Sequence, residues 1–224
     1  MFTQRNVMLV AVALLTLTLG GTAGAEEKME PLPLKPPKPG ITGTPKEIKG
    51  ITGEIESPAG KVRPPFLAPA GCVNLAFKRP VTSSDPEPII GKLEQITDGD
   101  KDALGGSWVE LALGRQWVQI DLGKPAEIHA ILVWHRHDNF VVYKGVVVQV
   151  ASDPDFINGV KTLFNNDQDN SIGLGIGDDK YYFEDYQGKL IEGKGVKARY
   201  VRLWSNGSTM GDANEYTEVE VWGK

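Results

Sequence analysis

Between Trp117 and Leu122 the side chains alternate. Val118, Ile120 and Leu122 fall on one face, Gln119 and Asp121 on the other. A period of two is what a half-buried β-strand requires. Residues 128–134 and 146–148 are apolar on both faces, as central strands tend to be. Further runs rich in Val, Ile, Tyr and Trp, bounded by Gly, Pro, Asn and Asp, lie at 180–184, 198–204 and 218–222. No window of ten or more residues carries a convincing helical stripe. The pattern predicts an all-β domain of two packed antiparallel sheets, a sandwich or jelly roll.

Upstream of these strands the chain changes character twice. Arg5, the apolar run 7–19 and the small residues Thr22-Ala23-Gly24-Ala25 read as an export signal, with cleavage expected after Ala25. The apolar run is short, about 13 residues against the ~20 of a spanning helix. This predicts a periplasmic or secreted protein. Ten of the fifteen prolines then fall between Pro31 and Pro69, with two copies of Gly-Ile-Thr-Gly at 40–43 and 50–53. Prolines fix φ and remove amide donors, so residues 26–72 are expected to form a disordered, extended spacer. Residues 73–224 remain, about 150 residues, the size of one domain.

A net charge of −5 and a pI near 5.3 argue against nucleic acid and anionic membranes as partners. Cys72 is the single cysteine, so no internal disulfide is available. A half-buried thiol and a link between two chains both remain open for it.

Two acidic segments look like halves of a calcium site. One is the turn from Gln95 to Asp102, containing Asp98, Gly99 and Asp100; the other runs from Tyr216 to Trp222 and contains Glu218. Calcium takes roughly six to eight oxygens from carboxylates, carbonyls and water. Asp98 and Glu218 would bring charge. Taken singly, the first is an ordinary turn and the second a solvated strand residue; taken together they point to an ion that ties the start of the domain to its end.

In order along the chain stand Asn74-Leu75-Ala76, Ser83-Ser84, Ile96-Thr97-Asp98-Gly99-Asp100, Ser107-Trp108, Trp117-Val118-Gln119-Ile120-Asp121-Leu122-Gly123, Arg199-Tyr200-Val201-Arg202-Leu203 and Glu218-Val219-Glu220-Val221. This series resembles the discoidin domain, or coagulation factor V/VIII type C domain, and the related galactose-binding-like lectins and carbohydrate-binding modules. The resemblance implies an eight-stranded jelly roll with a structural calcium near the chain ends. It implies carboxylates from Asp98 and Glu218, backbone carbonyls from Gln95, Asp100 and Thr217, and a further oxygen from Ser107. Vertebrate members close the domain with a disulfide; Cys72 stands near the first position, and no cysteine stands near the second.

The stretch Trp134-His135-Arg136-His137-Asp138-Asn139 leaves a central strand and holds two of the three histidines. The resemblance implies a sugar site there. Arg136 matches an arginine that hydrogen-bonds sugar hydroxyls, and Glu110 stands where relatives place a polar side chain. Val142-Tyr143-Lys144 replaces a second arginine. The expected ligand set is Arg136, His135, His137, Glu110 and Tyr143, with Phe140, Tyr143 and Tyr216 as possible ring platforms. Each histidine, taken singly, reads better as a loop residue satisfied by its neighbours, and no third ligand completes a transition-metal site. The 165–170 loop is acidic enough for a second metal but lacks an EF-hand continuation.

No nucleophile elbow, zinc-hydrolase helix or Cys-His pair is present. The expectation is an exported non-catalytic module for carbohydrate on a cell surface or extracellular polysaccharide. The alternatives are a protein-protein adhesion domain and, less favoured, a glycan-active enzyme. Loops of Asn, Asp and Gly argue against membrane binding.

Overall fold

The computed structural model describes residues 27–41, 50–51, 53–56 and 62–224. The expected export signal and its cleavage point lie outside them. Among the described residues no helix is long and apolar enough to cross a membrane. The strands are β1 Met29–Pro31, β2 Leu67–Pro69, β3 Val73–Asn74, β4 Val81–Ser83, β5 Val109–Leu111, β6 Gln116–His135, β7 Val147–Ala151, β8 Lys161–Asn165, β9 Lys189–Ser205 and β10 Asn214–Gly223. Short 3-10 helices occupy Leu93–Thr97 and Ala103–Gly105.

Strands β3 to β10 form one antiparallel sheet of eight strands. Its spine is the long pair β6 and β9, in register from Gln116↔Ser205 to Val133↔Lys189. The register shifts twice, between Asp121 and Ala126 and between Ile128 and Ala130. There the sheet bends over on itself, as bulged strands do. Gly193 sits at the second shift, where a Cβ would lie 2.4 Å from the Ile128 carbonyl oxygen. The bend makes one strand serve two layers. Val118 and Ile120 from its first half, Ile131 and Val133 from its second, join Val148, Val150, Val201, Leu203, Val219 and Val221 in one buried core. This is the all-β jelly-roll sandwich expected from the sequence.

The expected strand at 180–184 is absent. Tyr181 makes one isolated bridge, and Tyr182 and Glu184 are buried in a loop. Tyr182 packs edge-on to Phe164 at 5.8 Å. The residues have strand composition because they are core residues, not because they pair.

Parts of the Pro-rich segment, expected as a disordered spacer, instead pair and pack. β1 pairs antiparallel with β2, and Leu32 N–H donates to the Phe66 carbonyl. The paired strands cover the outer face of the β6–β10 layer. Leu32 and Ala68 pack with Ala130, Leu132, Trp134 and Trp222, flanked by Leu34, Phe66, Cys72 and Leu190. Farther along, Glu56 pairs with Lys189, and Arg63 bonds to Gln187 and Gly188. Lys224 pairs with Glu27. This arm explains why β6 is apolar on both faces, since both are covered. Cys72 is a half-buried free thiol against that cluster. Leu32→Ala is therefore expected to cost about 2 kcal/mol, the low end for a core leucine, seen as a lower urea midpoint. A solvated spacer would give no change.

Candidate functional site

The two acidic segments do meet. Gly99, at φ +96 in the turn after the first 3-10 helix, donates its amide to Glu218 Oε2 at 3.1 Å. A residue with a Cβ rarely adopts that φ. Within the turn, Asp98 Oδ1 accepts from Asp100 N at 2.8 Å, and Ser107 Oγ donates to Asp100 Oδ2 at 2.6 Å. Gln95 caps its own helix, its Oε1 accepting from Lys92 N at 2.7 Å. The Thr217 hydroxyl donates to the His135 carbonyl at 3.2 Å.

Glu218 is fully buried, and its Oε1 has no partner. Burial pushes its carboxyl up to about 9, against the Gly99 amide and nearby Lys101, while Glu220 and Asp98 add to the rise. The Lys101 ammonium itself pairs with Glu220 at 2.7 Å. Among the described residues no three acidic, histidine or cysteine side chains converge as ligands. Asp98 lies close enough to Glu218 for its charge to be felt there, and carboxylate oxygens are the hard-donor chemistry of calcium. An orphaned buried carboxylate oxygen there fits a cation.

The second candidate region is a small cavity of about 160 Å³ at the loop end of the sandwich, lined by Arg136, Asp138, Tyr143, Ser208, Met210 and Glu215, among others. Arg136 follows the last residue of β6. Its Nε and Nη2 donate to the two oxygens of Asp138 at 2.8 and 3.0 Å, and its Nη1 donates to Glu215 Oε1 at 2.9 Å. Its guanidinium lies 4.2 Å above the Trp108 ring. These contacts raise its pKa further, the Asp138 bonds first. Tyr143 Oη donates to Glu215 Oε2 at 2.7 Å. Glu110 stands directly opposite Glu215 across the β5–β10 ladder. Burial, then Glu215, pushes its carboxyl up, and Arg136 opposes this.

The structure corrects three of the expected ligand contacts. His135 is wholly buried; its Nδ1–H donates to Glu184 Oε1 at 2.6 Å, and its ring stacks on Tyr143 at 4.3 Å. His137 is buried on the side of the acidic turn, its Nε2 3.0 Å from the Lys101 carbonyl oxygen. Tyr143 is 1% exposed, so only its hydroxyl edge reaches the cavity lining. Tyr216 is also buried, against His135, which leaves Phe140, 40% exposed, as the open ring of the three. Arg136 lines the cavity, and three of its N–H groups already serve carboxylates.

Glu215, Trp108, Ser208 and Met210 were not foreseen as site residues. Trp108 stood in a quoted motif, and Asp138 in the cluster around Arg136. Glu215 gave no signal, because only the β10 register carries it beneath Arg136. The 165–170 loop is built differently from a metal loop. Asp167 is buried and accepts from Ser171 N, Ser171 Oγ and Ile172 N at 2.9, 2.9 and 2.8 Å.

An antiparallel jelly roll with a small cavity at its loop end, lined by charged and apolar side chains together, is the class that these observations define. The antiparallel all-β jelly roll that the resemblance implied is the fold of this chain. Among solved structures it is similar to chitosan-binding module 1 of a chitosanase/glucanase from Paenibacillus sp. IK-5, at 19% identity and a TM-score of 0.47, over 67% of this chain and 99% of that one. It is also similar to a Streptococcus pneumoniae fucose-binding module, at 18% identity and a TM-score of 0.46, over 66% and 96%. A family 89 glycoside hydrolase from Clostridium perfringens is similar at 18% identity and a TM-score of 0.49, over 68% of this chain and 15% of that chain. No protein-family model and no curated protein matches the chain.

Proposed function

We propose that this is an exported, non-catalytic module that binds carbohydrate at the loop-end cavity and carries a structural calcium between the acidic turn and β10. The observation that carries the reading is the arrangement around Arg136. One guanidinium is locked between Asp138 and Glu215 over an indole, in a cavity that Val141 and exposed Met210 also line. Fixed polar groups next to apolar surface match the two-sided character of a sugar ring. The cavity is smaller than the roughly 300–1,000 Å³ of pockets that enclose drug-sized ligands, so it suits one ring of a polymer and weak, surface-level affinity.

Asp98, Glu218 and the carbonyls of Gln95, Asp100 and Thr217 would hold the ion, with Ser107 beside them. The ion would supply positive charge where a buried carboxylate oxygen now has none. A glycan-array screen of the exported chain, arm included, with calcium and with chelator, tests the binding reading; silence across the array under both conditions would remove it. Arg136→Ala is expected to weaken any ligand found by roughly tenfold or more, measured by titration, while leaving the calcium-dependent melt intact. Equal affinities would move the site elsewhere.

A further inference from the structure

The charges around the cavity are unbalanced. One guanidinium, Arg136, faces two carboxylates, Asp138 and Glu215, and a third, Glu110, lies close enough to Glu215 and Arg136 to feel both. No lysine lines the cavity. The donor and acceptor inventory leans the same way. Arg136 has five N–H groups, of which three are engaged by protein oxygens. The two lining carboxylates offer about four acceptor sites each, and four contacts engage them, three from Arg136 and one from Tyr143. Half of their capacity is left for a ligand.

We infer that the cavity selects an amino sugar with a free ammonium group, held between Asp138 and Glu215. This rests on the carbohydrate-binding reading above and narrows it. A neutral sugar would have to desolvate excess anionic charge without compensating it. A uronate would add to that charge. An ammonium on the ring gives charge-assisted hydrogen bonds to carboxylates already held in place by Arg136, so little ordering is needed on binding. Arg136 then acts as the organiser of two acceptors rather than as the main donor. The cross-strand pair Glu110 and Glu215, unfavourable in a bare sheet, becomes part of the recognition.

The test uses the full exported chain and four probes of matched length: a chitosan oligomer, its N-acetylated counterpart, an oligouronate and oligolysine. Titration is done at a pH where the sugar amines are charged. The chitosan oligomer is expected to bind roughly tenfold or more tighter than the N-acetylated one, with the uronate weakest, and the preference is expected to shrink as salt rises. Asp138→Asn and Glu215→Gln, made separately and checked by melting, are each expected to reduce the ratio about tenfold; two variants guard against one failing to fold. Equal binding of the free and N-acetylated oligomers would overturn the inference while leaving a carbohydrate site in place. Oligolysine binding as tightly as chitosan would overturn it in favour of charge without sugar recognition. Silence with all three sugars would sink the underlying reading as well.

Discussion

Glu184→Ala is expected to destabilise the protein by about 3–5 kcal/mol, the cost of leaving one member of a buried ionisable pair without its partner. His135 and Glu184 have no exposed side-chain surface and lie 2.6 Å apart. The imidazole is enclosed by Tyr143, stacked at 4.3 Å, and Tyr216, at 4.7 Å. None of these neighbours replaces the lost carboxylate, and His135 Nε2 is already unpartnered. Glu184→Gln keeps an acceptor for Nδ1–H and should cost less. In urea the midpoint falls while the slope stays constant. An unchanged midpoint for Glu184→Ala would refute the role of the pair. Tyr143 also connects the pair to the cavity, because its ring rests on His135 and its hydroxyl holds Glu215. Loss of Glu184 should therefore weaken ligand binding from behind the site.

Chelation is expected to lower the melting temperature, and added calcium to restore it. An ion that binds only the folded state adds RT ln(1 + [L]/Kd), about 2.7 kcal/mol at a hundredfold excess over Kd. Asp98→Ala and Glu218→Ala should abolish the response. The pH dependence sharpens this. Glu218 has an ordinary value of 4.5 and lies at about 9 in the fold, chiefly through burial. Between those values the folded state holds a proton that the unfolded state has lost. The metal-free protein should thus lose stability as pH rises through that window. Calcium favours the carboxylate and should flatten the decline, and Glu218→Gln should remove it. A melting curve indifferent to calcium, in protein freed of metal beforehand, would rule the ion out of the fold.

The sandwich was legible because alternation and two-faced apolar runs have few other solutions. Val118, Ile120 and Leu122 point inward as their spacing requires. The apolar outer face of β6, with Ala130, Leu132 and Trp134, implied a cover that composition concealed. Its cover came from a Pro-rich segment, whose low apolar content reads as solvated, although two or three side chains such as Leu32 and Ala68 suffice to dock an extended strand. The meeting of Gly99 with Glu218 was legible because both segments carry oxygen chemistry and the resemblance joins them. Around Arg136 the clustering of polar and ring residues was legible and their contacts were not. Strand parity places His135 and Tyr143 near the loop end, but the sequence does not show that Glu184, from a loop without strand pairing, draws the histidine inward.

The direction of β10 has a mechanical consequence. At one end Tyr216 pairs with His135, beside the cavity; at the other Gly223 pairs with Ile128, and Lys224 meets Glu27 of the arm. Ten residues at about 3.3 Å each separate the two poles by roughly 30 Å. A tension between a ligand gripped near Arg136 and the arm, where Glu27 meets Lys224, would run along β10. It shears the ladders with β3, β5 and β6 together instead of peeling them one bond at a time. The grip and the mooring stand at opposite poles, joined by a strand loaded in its strongest direction.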